Sequence, residues 1–137
     1  MKKFLMLTIL AISFFSCVKT GDGVPTVGVN FQASLQDPKY SALNAPGGTV
    51  LVSGYGVAGL ILHREASGSY VAYDRCSTYM PQNRCAVTLD VGGFTVTDPC
   101  SGAKWSISDG TPVKAPATIS LKSYSIDVSN FEIFVSN

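Results

Sequence analysis

The chain has 137 residues, ten Lys and Arg against nine Asp and Glu, and a single histidine. This near balance of charge excludes the basic patch that a nucleic-acid-binding protein, or one that binds an anionic surface, needs. The length suits one domain.

A lipoprotein signal peptide is predicted at the N-terminus. Two lysines precede an apolar run over residues 4–15, and a small residue, Ser16, precedes Cys17. This pattern is typical of a secretory signal, and the run is shorter than the roughly 20 residues that a membrane-spanning helix needs. A cysteine directly after a small residue indicates lipid attachment at Cys17, and with Phe15 before it the site resembles the relaxed lipobox of Bacteroidetes-type bacteria. An uncleaved membrane anchor and cleavage without lipidation are the alternatives.

Three parts are predicted along the chain: a signal peptide over 1–16, a lipidated tether over 17–28 and one domain over 29–137. Gly, Asp, Thr and Pro are frequent in the tether, and hydrophobic periodicity is absent there. The lipid on Cys17 would therefore anchor a soluble domain to a membrane of the cell envelope. The residues after Cys17 are not acidic enough to resemble a surface-export signal, so we expect the domain on the periplasm-facing side of the outer membrane.

An all-β domain is predicted from the alternation of apolar and polar residues with a period of two. The pattern favours strands over residues 49–52, 59–63, 70–73, 86–89, 94–97, 105–107, 117–119, 123–128 and 131–135. Turn signals separate them, and residues 37–43 are expected to form a helical turn. Short strands at regular spacing predict an antiparallel sandwich or small barrel.

The cysteines predict one disulfide. With Cys17 committed to lipid, Cys76, Cys85 and Cys100 remain, which is an odd number for an oxidising compartment. One bridge and one remaining thiol are expected, but chain spacing alone does not select the pair.

The residues around these cysteines resemble a Rieske domain over roughly residues 30–137. The resemblance is carried by Tyr73-Asp74-Arg75-Cys76-Ser77-Thr78, Cys85, Asp98-Pro99-Cys100-Ser101-Gly102-Ala103-Lys104-Trp105, Asp109-Gly110, Ala115-Pro116-Ala117, Leu121 and Tyr124. The family's two loops read Cys-x-His and Cys-Pro-x-His-Gly-Ser/Ala-x-Phe/Trp. The resemblance implies a Rieske-like antiparallel fold of the kind that carries a 2Fe–2S cluster in ferredoxins.

The sequence departs from the family at the cluster ligands. A Rieske cluster is held by two Cys and two His. By the resemblance, these positions fall on Cys76, Thr78, Asp98 and Ser101, so only the first cysteine is kept. A hard carboxylate and two neutral hydroxyls do not replace thiolate and imidazole, and His63 lies on a predicted strand outside both loops. We therefore expect degenerate cluster positions and no cofactor.

The resemblance also implies which cysteines pair. Some Rieske proteins carry a disulfide between the two cluster loops, and its positions match Cys85 and Cys100. That bridge would contribute about 3 kcal/mol and leave Cys76 as a buried, inert thiol. The pairing Cys76–Cys100 stays open. A zinc site with Cys76, Cys85, Cys100 and Asp98 as alternative ligands also stays open, although an oxidising compartment favours the disulfide.

Patterns typical of enzymes are missing. The sequence has no Gly-x-Ser-x-Gly and no Ser/His/Asp set, since His63 stands alone. The glycine-rich segment 54–59 has predicted strands on both sides, so it does not resemble a phosphate-binding loop. Asp74 and Arg75 are expected to form at most an ion pair.

We therefore predict an envelope lipoprotein that is not an enzyme, in which a clusterless Rieske-like domain serves as a structural or partner-binding module. An exposed tip at Tyr79-Met80-Pro81 could contact an unidentified envelope protein. One alternative is an electron-transfer protein that holds a 2Fe–2S cluster with non-standard ligands. The other is a thiol–disulfide redox protein that uses Cys76 against the bridge.

Overall fold

The computed structural model describes residues 23–137 and consists mainly of short strands. The strands are β1 (Asn30–Ser34), β2 (Thr49–Val52), β3 (Leu60–Arg64), β4 (Tyr70–Asp74), β5 (Thr88–Leu89), β6 (Thr95–Thr97), β7 (Lys104–Ser106), β8 (Pro112–Lys114), β9 (Ser123–Ser129) and β10 (Glu132–Ser136). Two 3₁₀ helices cover Pro38–Asn44 and Pro81–Asn83. The predicted all-β fold is confirmed. In this part of the chain, no helix has the length and hydropathy that crossing a membrane requires.

The strands form two antiparallel sheets. The larger has the order β1-β10-β9-β4-β3-β2, and the smaller has the order β5-β6-β7-β8. The small sheet is inserted in the chain between β4 and β9, which are themselves paired. Because β6 pairs antiparallel with both β5 and β7, the turns that precede and follow it lie at opposite ends of the small sheet.

Strand β3 separates two hydrophobic cores. Leu60 and Leu62 belong to the core that lies against β1 and the first 3₁₀ helix, whereas Ile61 belongs to the core shared with the small sheet. Successive side chains of a strand point to opposite faces, so a strand covered on both faces has a continuous apolar sequence. Trp105 is fully buried in the second core, where its indole N–H donates to the carbonyl of Ile119 at 2.8 Å.

The predicted strand over 117–119 is wrong. These residues follow a cis Ala115–Pro116 bond outside any strand, and β7 pairs with Pro112–Lys114 instead. The Ile119 carbonyl accepts hydrogen bonds from the side chains of Trp105 and Thr78, so it serves tertiary contacts and no strand ladder. Strand β1 was not predicted, and of residues 86–89 only the last two form a strand.

Residues 23–28, predicted as part of the tether, lie against the domain. Val24 is buried, and the Lys122 ammonium donates to the Thr26 hydroxyl at 3.3 Å. The Asn137 amide donates to the Val27 carbonyl. Val24 and the half-buried Val27 therefore pack against the domain, whereas the other four residues of this segment are exposed. The predicted signal peptide, Cys17 and residues 18–22 lie outside the described residues.

Candidate functional site

Two loops meet beside the small sheet and form the candidate site. The first loop (residues 75–87) follows β4, and the second loop (residues 98–103) connects β6 to β7. A disulfide joins Cys85 of the first loop to Cys100 of the second, with their Cα atoms 6.3 Å apart. This is the pairing that the resemblance implies, and it excludes the alternative Cys76–Cys100 pair. Cys100 is exposed to solvent and Cys85 is half-buried.

A buried carboxylate lies beside the bridge. Asp98 is 1% exposed and accepts hydrogen bonds from the hydroxyls of Ser77 at 2.8 Å and Ser101 at 2.6 Å. Its second oxygen accepts from the Cys100 backbone N–H at 2.8 Å. Three donors, two of them hydroxyls, satisfy a charge that would otherwise be costly to bury. Because Ser77 belongs to the first loop, this network is a second link between the loops.

Sequence reasoning missed Ser77 and the Ile119 carbonyl as parts of the site. Thr78, at the position of the first family histidine, donates its hydroxyl proton to that carbonyl at 2.6 Å. Ser101, at the position of the second histidine, donates to Asp98. No local pattern identifies such partners, because they lie 21 and 41 residues apart in the chain.

Cys76 is fully buried and stays outside the disulfide. Its Sγ atom lies 3.6 Å from the carbonyl oxygens of Ser77 and Pro81. These contacts agree with the expected buried thiol. Attack on a disulfide requires an accessible thiolate, which this environment does not offer.

Asp74 and Arg75 form no ion pair with each other in the described part of the chain. The Asp74 carboxylate is fully buried and accepts from the hydroxyl of Tyr124 at 2.7 Å and from the Cys76 N–H at 2.8 Å. Arg75 instead donates from Nε to the Val87 carbonyl at 3.2 Å. Backbone and phenol donors already satisfy Asp74, so it does not need the guanidinium.

Asp74 also explains the glycine-rich segment 54–59. Its carboxylate accepts from the backbone N–H groups of Val57 at 2.6 Å and Ala58 at 3.1 Å. A Cβ atom on Gly56 would clash with the Asp74 carboxylate, so a side chain there would displace this carboxylate. The segment is a turn between β2 and β3, as its flanking strands predict. In the structure it also lies against Asp74.

The tip of the first loop is exposed, as expected. Tyr79 is 37% and Met80 is 45% exposed. Met80 and Arg84 have positive φ values of 49° and 51°, which are uncommon for residues with side chains. The tip therefore presents an aromatic ring, a thioether and a cation on a constrained backbone.

The donor atoms near the bridge do not match a Rieske centre. The Sγ atoms of Cys85 and Cys100 and a carboxylate oxygen of Asp98 lie within 4.8 Å of one another, whereas Cys76, the fourth predicted zinc ligand, is not in this group. The two sulfur atoms are bonded to each other. The one histidine, His63, lies on β3, where its Nδ1 atom forms a hydrogen bond with the Thr49 hydroxyl. A Rieske cluster needs two thiolates and two imidazoles, so the residues present do not fit it.

Comparison with solved structures identifies the fold. The plasma-membrane Rieske protein PetC3 of the cyanobacterium Synechocystis PCC 6803 superimposes with a TM-score of 0.57 at 23% identity, over 82% of this chain and 100% of that one. The fold is Rieske-like. A chain from the complex of reduced oxygenase and oxidised ferredoxin in carbazole 1,9a-dioxygenase has a TM-score of 0.50 at 22% identity, over 80% of this chain and 99% of that one. No protein-family model and no curated protein sequence matches the chain.

Proposed function

We propose that the chain is a lipid-anchored envelope lipoprotein whose Rieske-like domain works without a 2Fe–2S cluster, as a partner-binding module. Asp98 is the observation that carries this proposal. Its buried carboxylate stands where the resemblance places a cysteine ligand, and its hydrogen bonds are satisfied by protein donors. A network already complete within the protein does not need a metal to stabilise it.

The disulfide supports the same proposal. It covalently joins the loops that carry the degenerate cluster positions, and the Asp98 network joins them a second time. These two links perform the mechanical task of a bridging metal centre, which is to hold two loops at a fixed separation. The fold can therefore present a rigid loop tip without iron.

The partner-binding surface in this proposal is the tip of the first loop. Tyr79, Met80 and Arg84 are exposed there. Tyr and Arg are enriched among residues that dominate binding energy, and Met adapts to irregular surfaces. A backbone held in an uncommon conformation supports the hypothesis of a functional surface.

The anchor in this proposal is the lipid on Cys17, facing the periplasm from the outer membrane. Metabolic labelling with a radioactive fatty acid should label the wild-type chain and leave Cys17→Ser unlabelled. Protease added to intact cells should spare the protein and should digest it once the outer membrane is permeabilised. Digestion in intact cells would contradict the periplasmic orientation.

The absence of a cluster is tested on the full chain, produced with iron supplied and purified in detergent without air. We expect a colourless protein with no bound iron or zinc and one thiol that reacts only in denaturant. A brown protein with about two irons per chain would overturn the proposal and favour electron transfer through non-standard ligands. Bound zinc would favour the alternative metal site.

Alkylation of the folded protein distinguishes a thiol–disulfide redox function from the proposed partner-binding function. Cys76 is buried, so a thiol reagent should not label it before denaturation, and a mixed disulfide with a small thiol should not form at Cys76. Rapid labelling of Cys76 in the folded state would instead favour a redox function.

Partner binding is tested by photo-crosslinking in intact cells. A photoreactive amino acid at position 80 should yield a discrete crosslinked species, whereas the same amino acid at exposed Lys114 of β8 should not. The result contradicts the proposed surface if both positions crosslink alike or neither does.

A further inference from the structure

A cleft lies at the end of the small sheet opposite the disulfide. It is formed by the turn between β5 and β6, the end of β7 and the hairpin that leaves β3, and it has a volume of about 390 Å³. This volume lies within the range of small-molecule sites. His63, Glu65, Phe94, Ser106, Ile107 and Ser108 are among its lining residues. None of them belongs to the two bridged loops.

The cleft carries an uncompensated negative charge. Among residues 23–137, no hydrogen bond or ion pair engages the Glu65 carboxylate, and the described lining includes no Lys or Arg. The neighbouring Arg64 guanidinium lies 5.4 Å from the centre of the Tyr70 ring and donates to the Asn44 carbonyl, and among residues 23–137 it forms no ion pair with Glu65. A carboxylate without a partner in a concave site favours a cationic ligand.

The charge of Glu65 also affects Tyr73 of β4. Burial is the first reason that the pKa of Tyr73 rises to about 12, and the charges of Asp109 and Glu65 raise it further. Of these two carboxylates, only Glu65 is among the lining residues of the cleft. Burial lowers the pKa of His63, so this histidine adds no positive charge to the cleft at neutral pH.

An aromatic ring stands at the mouth of the cleft. Phe94 is 81% exposed, so most of its apolar surface is in water. A Cβ atom on Gly92 would lie 3.6 Å from the Phe94 ring, which shows that the ring lies over the turn. Gly92 and Gly93 have φ values of 100° and 75°, which suit glycine. An exposed ring near a carboxylate can hold both the apolar body and the charge of an organic cation.

Two hydroxyls complete the lining. The Oγ atoms of Ser106 and Ser108 lie 3.1 Å apart and can accept hydrogen bonds from an ammonium group. Buried Ile107 lies between them in the chain and gives the cleft an apolar contribution. We propose that this cleft binds a small organic cation, an ammonium group on a compact apolar body, between Glu65 and Phe94.

The probe for this site is 2-phenylethylammonium, and 2-phenylethanol is the matched uncharged compound. Each is titrated into the full-length ¹⁵N-labelled chain in a neutral detergent, and binding is followed through backbone amide shifts. We expect saturable shifts at Gly92, Gly93 and Phe94 with the ammonium compound, and about tenfold weaker binding of the alcohol. Equal affinity for the two compounds, or shifts confined to other residues, would overturn the proposal.

Variants test the two walls separately. Glu65→Gln keeps the shape of the side chain and should weaken the ammonium compound at least about fivefold while leaving the alcohol unchanged. Glu132→Gln on β10, which is not among the lining residues, is the matched charge control and should change neither affinity. Phe94→Ala should weaken the ammonium compound by about threefold and the alcohol by less, because only the charged compound loses an interaction between its cation and the ring. Unchanged binding in Glu65→Gln refutes the assigned carboxylate, whatever the outcome for the bridged loops.

Discussion

The two ends of the small sheet differ in how their carboxylates are hydrogen-bonded. At the disulfide end, Asp98 is buried and accepts from three donors. At the cleft end, Glu65 is half-buried without a described partner, and Phe94 is 81% exposed. A satisfied carboxylate contributes to folding, whereas an unsatisfied carboxylate beside an exposed ring is available to a ligand. The comparison teaches that one carboxylate of the small sheet holds two loops together, whereas the other is left for the proposed ligand.

Removing the bridge should have the largest effect. The double variant Cys85→Ser/Cys100→Ser should lose about 3 kcal/mol of free energy of unfolding, because the unfolded chain regains the entropy that the cross-link removes. Urea denaturation without reductant measures this loss. The wild-type chain in excess reductant is the control and should unfold like the variant. An unchanged midpoint would show that the Asp98 network alone holds the loops.

Neutralising Asp98 and neutralising Glu65 should change the free energy of unfolding by different amounts. Asp98→Asn replaces an acceptor with an NH₂ group that confronts hydroxyl donors, so the free energy of unfolding should fall by about 1–3 kcal/mol. Glu65→Gln should change it by less than about 0.5 kcal/mol. Denaturation curves at one pH compare them directly. Similar losses in both variants would contradict the distinction between a structural and a ligand-binding carboxylate.

The pH dependence of stability should reveal His63 at the cleft end, with a smaller effect. Burial lowers its folded-state pKa below the ordinary 6.5, so the unfolded chain takes up the proton first as the pH falls. The contribution of His63 to the free energy of unfolding should therefore be fully present above pH 6.5 and should decline as the pH falls below that value. Denaturation at pH 7.5 and 5.5 should show a smaller decline in His63→Gln than in the wild type. Equal declines would place the titrating group elsewhere.

The pKa of Tyr73 should depend on the charge of Glu65, and this is the smallest of the expected effects. Its pKa of about 12 means that the folded protein keeps a proton that the unfolded chain loses near pH 10, so stability falls between these values. Ultraviolet difference titration should show a step near pH 12 that Tyr73→Phe lacks. The step should move to lower pH in Glu65→Gln, because one neighbouring charge is removed. No movement would mean that the Glu65 charge does not reach this region.

Local patterns predicted much of the fold but only part of the site. Alternation in segments such as 123–128 predicts a strand directly, because successive side chains of a strand point to opposite faces. Segment 117–119 alternates equally well, but its carbonyl serves the side chains of Trp105 and Thr78. The bridge was predictable through family resemblance, since the covalent partners keep their loop positions.

The Asp98 network and the cleft were not predictable for a shared reason. Ser77 and Asp98 are 21 residues apart, and the cleft draws its lining from residues between 47 and 108. Hydroxyl donors and single carboxylates occur throughout any surface, so only their three-dimensional arrangement distinguishes them. The partners of Asp74 were not predictable for the same reason, since positions 57, 58 and 124 are distant from it in sequence.

The Asp98 network has a consequence for how this sequence can change. A single replacement of Asp98 by cysteine would leave the Ser77 and Ser101 hydroxyls without their shared acceptor, and the Cys100 N–H without its partner. Of these donors the Ser77 hydroxyl is buried, and a buried donor left unsatisfied costs about 1–3 kcal/mol. The first mutational step towards a metal centre is therefore destabilising before any ligand set is complete. The hydrogen bonds to Asp98 therefore oppose the return of a cysteine ligand at this position, because the substitution lowers the stability of the folded chain.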